Sequence, residues 1–280
     1  MIESTILTQD GINLSYATSD VVEGKPWIAL VIPFGIKLEM TDAFFEFFSS
    51  QYNLVAWESR SILEQTDREV GQNELSVDNH VEDLKLVLSS LSTEKFYLVG
   101  YCSGAGIALA AASKYPQLFE HLVLAHGEYA MLQEPGCTSQ FAMEIDSILS
   151  MAAKDEEHLE LVFKKISGDR FDNNLGRPDG IDLPFTEKAY LRRYAANYLE
   201  YKDINFKSLA TGIKHNTLVM TGEKDLQANV VSSQTIQQLL ENSEICIDPD
   251  ADHYGLLRDE SNSMVTIWNY LCEARAAHER

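Results

Sequence analysis

The stretch that first invites chemistry is Leu98-Val-Gly-Tyr-Cys-Ser-Gly-Ala-Gly-Ile-Ala-Leu109, where a buried apolar run passes straight into an Ala-rich segment of helical character. At the junction stand Gly100, Tyr101, Cys102, Ser103 and Gly104. A cysteine acts as a nucleophile through its thiolate, and the unpaired N–H groups and dipole of a helix N-terminus favour that negative charge. Glycines two residues to either side suit a turn too tight for side chains. A phosphate-binding loop is the competing use of such glycines, but G-x-C-x-G-x-G lacks the first glycine pair of G-x-G-x-x-G and any Walker lysine. A buried structural cysteine is the bland alternative. Cys137, Cys246 and Cys272 are far apart and form no C-x-x-C pair. They read as small buried hydrophobes or surface thiols, with no disulfide, zinc site or other metal expected.

Gly100-Tyr-Cys-Ser-Gly104 resembles the nucleophile elbow of the α/β-hydrolases, normally G-x-S-x-G, in which a sharp strand-to-helix turn exposes a strained nucleophile. The resemblance puts Cys102 rather than Ser103 at the nucleophile position, because an elbow centred on Ser103 would need glycine where Tyr101 stands. The family's chain order of nucleophile, acid and histidine then implies two further residues. Asp225 ends Val219-Met-Thr-Gly-Glu-Lys-Asp225, which resembles the family's G-x-x-D acid loop, and His253 in Asp250-Ala-Asp-His-Tyr254 falls where a G-H pattern carries the base. Glu128, in His126-Gly-Glu128, occupies a second position at which related enzymes keep the acid and is held in reserve. For the oxyanion, the resemblance implies the N–H of Ser103 and a second donor from Ile32-Pro-Phe-Gly-Ile-Lys37. Phe34-Gly35 fills the family's His-Gly slot, so that donor is the N–H of Ile36, or of Gly35 if the register slips by one. Trp57-Glu-Ser-Arg60 takes the place of D-x-R-G-x-G, with Ser61 and Leu63 where glycines are common, and Arg60 reads as a structural ion-pair residue.

A cysteine in the elbow changes the energetics of the covalent intermediate. Moving an acyl group from a thioester to cysteine gives another thioester, nearly isoenergetic with the first, so the acyl group stays activated for an amine, hydroxyl or thiol acceptor as well as for water. Dienelactone hydrolases have a similar Gly-Tyr-Cys elbow, but they are compact and carry the acid soon after the nucleophile. Stand-alone thioesterases and acyltransferases of natural-product pathways are the better resemblance. The expected activity is acyl transfer or thioester hydrolysis through acyl-Cys102, without a cofactor. A cofactor-free hydrolase of a small ester or lactone is the alternative within catalysis, and a non-catalytic ligand-binding protein on the same fold is the alternative outside it.

The elements that must position these residues alternate. Thr5–Thr8 and Ile12–Tyr16 are β-rich runs joined through Asp10-Gly11 and predict an antiparallel hairpin edge. Ile28–Ile32, Asn53–Trp57, Phe96–Val99, Leu122–Ala125, Thr217–Thr221 and Glu244–Ile247 are short apolar runs of the kind buried on both faces of a parallel sheet. Helical patterns fall between them, one of them Val77, Val81, Leu84, Leu88 and Leu91 behind a Ser76 cap. The fold class is α/β: an α/β-hydrolase fold with a mostly parallel, doubly wound sheet and a helical cap inserted after the sixth strand. Residues 1–128 and 207–280 form the core and 129–206 the cap. Within the cap, helices are expected from Phe141 to Met151, Glu156 to Ile166 and Thr186 to Tyr201, with a Gly- and Pro-containing loop from Ser167 to Pro184. Tyr190, Tyr194 and Tyr198 share one helical stripe and, with Met131, Met143, Phe34, Tyr101 and Tyr254, are the candidate pocket residues.

The 280 residues carry 43 acidic against 22 basic side chains, a formal net charge of −21. Nucleic acid is excluded as a partner because phosphate neutralisation needs a basic face. No apolar run approaches the roughly 20 residues of a spanning helix, and basic residues are too scattered to hold an anionic membrane. The opening Met-Ile-Glu-Ser-Thr carries an acid where a secretory signal carries basic residues, so a cytoplasmic protein is expected. The expected substrate is a small-molecule or carrier-bound acyl compound. An acidic carrier would need a basic landing patch, for which Lys164, Lys165, Lys188, Arg192, Arg193 and Lys202 in the cap are the available residues.

Overall fold

A computed structural model describes residues 1–280 apart from 65–67, 72, 92, 169–176, 260, 279 and 280. The expected loop from Ser167 to Pro184 therefore lies partly outside the described residues. Eight strands form one sheet: β1 (Ile2–Leu7), β2 (Asn13–Thr18), β3 (Trp27–Val31), β4 (Asn53–Trp57), β5 (Phe96–Tyr101), β6 (Phe119–Ala125), β7 (Asn216–Gly222) and β8 (Ser243–Asp248). Their order is β1-β2-β4-β3-β5-β6-β7-β8. The β1–β2 hairpin and its junction with β4 are antiparallel, and every pairing from β4 through β8 is parallel.

The apolar runs become strands buried on both faces because successive side chains point to opposite sides. Ala29, Val31, Val55, Leu98, Leu122 and Val219 face a cluster built with α2 (Val77–Ser89) and α3 (Ser103–Lys114). Their sequence neighbours Ile28, Leu30, Leu54, Val99, Val123 and Leu218 face a second cluster. That one is built with Phe44, Phe45 and Phe48 of α1 (Asp42–Phe48) and Met264, Ile267 and Leu271 of α9 (Asn262–His278). Ser76 caps α2 as expected, its side chain accepting the Asn79 N–H.

Between β6 and β7 come α4 (Gln140–Ala152), α5 (Glu156–Gly168), α6 (Lys188–Lys202) and the short α7 (Phe206–Ala210). The first three bury a small core of their own around Leu149, Leu159, Val162, Leu191 and Ala195. The insertion is tied down over the sheet: the Tyr201 hydroxyl donates to the carbonyls of Ser103 (3.1 Å) and Glu128 (2.5 Å). The remaining core helix is α8 (Val230–Leu239). The loops after β3 and β5 diverge where the strand order reverses, opening a crevice at the carboxyl ends of the strands.

Candidate active site

Cys102 stands between β5 and α3 with φ 54° and ψ −125°, a conformation that non-glycine residues adopt only under constraint. The constraint is visible in its hydrogen bonds. Its N–H donates to Ala125 O (3.0 Å), and its carbonyl accepts the N–H groups of Ala105 (3.0 Å) and Glu128 (3.2 Å). The flanking glycines are required by space. A Cβ on Gly100 would lie 2.7 Å from Ala105 Cα, and one on Gly104 would lie 2.2 Å from the Val31 carbonyl oxygen. The side chain of Cys102 is half-buried and lines the crevice together with His253.

His253 follows β8 and is 4% exposed. Its Nδ1 donates to Asp225 Oδ2 at 2.8 Å, which leaves Nε2 as the base. Its carbonyl accepts the Tyr101 hydroxyl at 2.7 Å, so the residue before the nucleophile also holds the histidine loop. Asp225, after β7, is saturated: Oδ1 accepts the N–H groups of Gln227 (2.8 Å) and Ala228 (2.9 Å), and Oδ2 accepts His253 and His126 Nδ1 (3.0 Å). Burial alone would raise the Asp225 pKa, but the two histidines outweigh it and hold the carboxyl well below the usual range. Burial alone would lower the His253 pKa, but the Asp225 carboxylate and the charge on Cys102 raise it well above its ordinary value. A histidine whose Nδ1 is paired with an ionised acid is poised to exchange a proton through Nε2 with a sulfur in the same crevice.

His126 was missed in the sequence. It is fully buried after β6 at φ 49°, and its only sequence signal is its place beside Glu128. His126, Asp225 and His253 lie close enough to share a cation, but both Nδ1 atoms donate to one carboxylate oxygen, and that arrangement accounts for the cluster without a metal.

The loop after β3 is fixed against the elbow and against the insertion. Its tie to the elbow is the Phe34 N–H, which donates to Ser103 Oγ at 3.2 Å. Ile36 and Ser103 line the crevice. Gly35, at φ +73°, turns against Pro184 of the insertion, whose Cγ would lie 2.5 Å from a Cβ there. Glu58 anchors this loop by accepting from Lys37 Nζ (3.0 Å) and the Leu38 N–H (3.2 Å). Arg60 is the expected structural residue, 4% exposed and paired with Asp83 and Asp10.

The crevice closes into a cavity of about 130 Å³. Phe34, Tyr101, Tyr194, Tyr198 and Tyr254 line it as expected, together with Glu128 and Asn197. Three candidates do not. Met143 is 46% exposed on α4, Met131 packs into the sheet's hydrophobic core, and Tyr190 is buried on another part of α6. The stripe turns enough over one helical turn that Tyr194 and Tyr198 reach the cavity while Tyr190 does not. Glu128 does not serve as the acid of His253, since Asp225 already holds that nitrogen. Five of the six basic residues singled out on the insertion are committed to neighbouring groups. Lys164 pairs with Glu160, Lys188 with Glu156 and Glu160, Arg192 with Glu156 and Lys202 with Asp146. Arg193 is buried, donating to the backbone carbonyls of Glu64 (2.7 Å) and Arg68 (2.8 Å). This interleaving with acids is the arrangement that suits a small diffusible donor better than an acidic carrier.

A family profile described as alpha/beta hydrolase fold matches residues 58–146. A curated relative, the L-allo-isoleucyltransferase of Pseudomonas savastanoi pv. glycinea, is 26% identical over 231 residues, covering 80% of this chain and 79% of the relative. Among solved structures, a hydrolase from Pseudomonas aeruginosa PA01 superposes with a TM-score of 0.73 at 20% identity, over 96% of this chain and 98% of that one. The enol-lactonase from Burkholderia xenovorans LB400 gives a TM-score of 0.73 at 17% identity, over 96% and 100%.

Proposed function

We propose that this chain, which has the α/β-hydrolase fold, transfers an α-aminoacyl group from a thioester donor through a covalent acyl-Cys102 intermediate. One observation carries the reading: a cysteine held at φ 54° lines one cavity with a histidine whose Nδ1 donates to a buried, saturated carboxylate. The Cys102 thiolate attacks the thioester carbonyl, forming the C–Sγ bond and an oxyanion for the N–H groups of Ser103 and the loop after β3. Collapse breaks the donor's C–S bond, and the departing thiolate takes the proton from the His253 imidazolium. His253 Nε2 then takes the proton of the acceptor, whose attack breaks the C–Sγ bond and returns Cys102 as a thiolate. Asp225 orients His253 and stabilises its cationic form.

Two observations support transfer of a small aminoacyl group. The relative bears the name of an aminoacyl transferase. The cavity, about 130 Å³, approaches the roughly 150 Å³ that accommodates benzene, so a branched side chain of a few carbons fits it. The test loads the protein with isoleucyl-N-acetylcysteamine thioester and chases the adduct with pantetheine or with buffer alone. Transfer predicts that the thiol discharges the adduct faster than water by on the order of tenfold or more. Equal rates would reassign the site to hydrolysis.

A further inference from the structure

Glu128 lines the cavity, the reaction above does not use it, and its chemistry is unfinished. Its Oε1 accepts the Ala130 N–H at 2.8 Å, while Oε2 is shielded from solvent and accepts no hydrogen bond from any described residue. A buried acceptor left without a donor is rare in folded proteins and calls for a ligand or a function. The backbone holds it in place at some strain: His126 (φ 49°) and Ala130 (φ 48°) bracket it, and the Glu128 N–H donates to the carbonyl of Cys102 at 3.2 Å. Asn197 of α6 lines the same cavity. Its Oδ1 lies 2.6 Å from His80 Nε2, and its buried Nδ2 has no acceptor among the described residues.

We propose that Glu128 receives the α-ammonium of the aminoacyl group carried on Cys102, with Asn197 Nδ2 available to a carbonyl or other acceptor of the same substrate. The inference rests on the aminoacyl-transfer reading and names the residue that would select its substrate. In an aminoacyl thioester the ammonium nitrogen is one carbon removed from the reacting carbonyl, so its receptor must lie beside the nucleophile. Glu128 meets that requirement because its backbone is bonded to that of Cys102 and both side chains line one cavity. Burial pushes the Glu128 carboxyl up to about 7, against the pull of the Ala130 N–H and His253, so a cation arriving there would favour its ionised form.

The test compares acylation of Cys102 by isoleucyl-, N-acetylisoleucyl- and 3-methylpentanoyl-N-acetylcysteamine thioesters, followed by intact mass. These share a side chain and differ in whether they carry a cation. The wild-type protein should be acylated by the isoleucyl thioester at least about tenfold faster than by either neutral probe. Glu128→Gln, which keeps an acceptor for the Ala130 N–H, should reduce that preference about tenfold. Iodoacetamide labelling of Cys102 in the variant reports that the elbow is intact, and the wild-type preference is read without any variant. A wild-type protein that takes all three probes alike, or a variant that keeps its preference within about twofold, would overturn the role of Glu128 while leaving acyl-Cys102 standing. Failure of all three probes to acylate Cys102 would instead overturn the acyl-transfer reading, and this inference with it.

Discussion

At the residue scale, the site turns on Asp225 Oδ2, an oxygen shared by two histidines of which His253 lines the cavity with Cys102. His126 acts through Asp225, so His126→Ala should lower kcat by on the order of tenfold while leaving KM within about twofold, as expected for loss of an orienting hydrogen bond. Steady-state kinetics with the isoleucyl thioester checks this, and a change confined to KM would contradict it. Glu128 makes a separate statement about stability. Its carboxyl keeps a proton in the folded chain up to about pH 7, whereas the ordinary value is 4.5, so the fold loses stability as pH rises through that window. Glu128→Gln should therefore stabilise the protein by about 1–3 kcal/mol at pH 8, and by clearly less at pH 5, in urea unfolding. A gain of equal size at both pH values would contradict the assignment of the shift to Glu128. A cavity acid that costs stability is what a ligand receptor is expected to look like.

At the element scale, the elbow is a steric construction. Gly104→Ala would drive a Cβ to 2.2 Å from the Val31 carbonyl and force α3 away from β3, for an expected loss of about 3 kcal/mol or more. Ser76→Ala, which removes only a cap of α2, should cost about 1 kcal/mol in the same assay. Comparable losses would argue against the tight contact at Gly104. The strands and the elbow were legible because each is written locally: β3, β4 and β5 as unbroken apolar runs, and the elbow as glycines at fixed offsets from Cys102. Asp225 and His253 were legible through chain order once the elbow was placed. The short α7 was not, because five residues carry too little periodicity to be seen. His126 and Asn197 were not, because their partners lie at distant positions that only the folded sheet and α6 bring together. Among the candidate pocket residues, Tyr194 separated from Tyr190 and Met143 only when the packing of α4 against α6 fixed which face of each helix meets the crevice.

At the scale of the whole molecule, the net charge of −21 acts against an acidic carrier, and five of the six cations singled out on the insertion are committed to neighbouring acids or to backbone carbonyls. Added salt should therefore leave acylation by a small neutral thioester nearly unchanged. With an acidic carrier as donor, raising ionic strength from about 20 mM to about 300 mM should increase kcat/KM by screening repulsion. A fall in kcat/KM over that range would reveal an attractive basic face. No helix among the described residues is long and apolar enough to cross a membrane.

The central claim is that Cys102 carries the acyl group, and peptide-mapped intact mass after brief incubation with isoleucyl-N-acetylcysteamine thioester tests it most directly. The account predicts a single isoleucyl addition on the peptide that contains Cys102, absent in Cys102→Ala and discharged by a thiol acceptor. An unmodified Cys102, with iodoacetamide labelling the other cysteines but not this one, would contradict it.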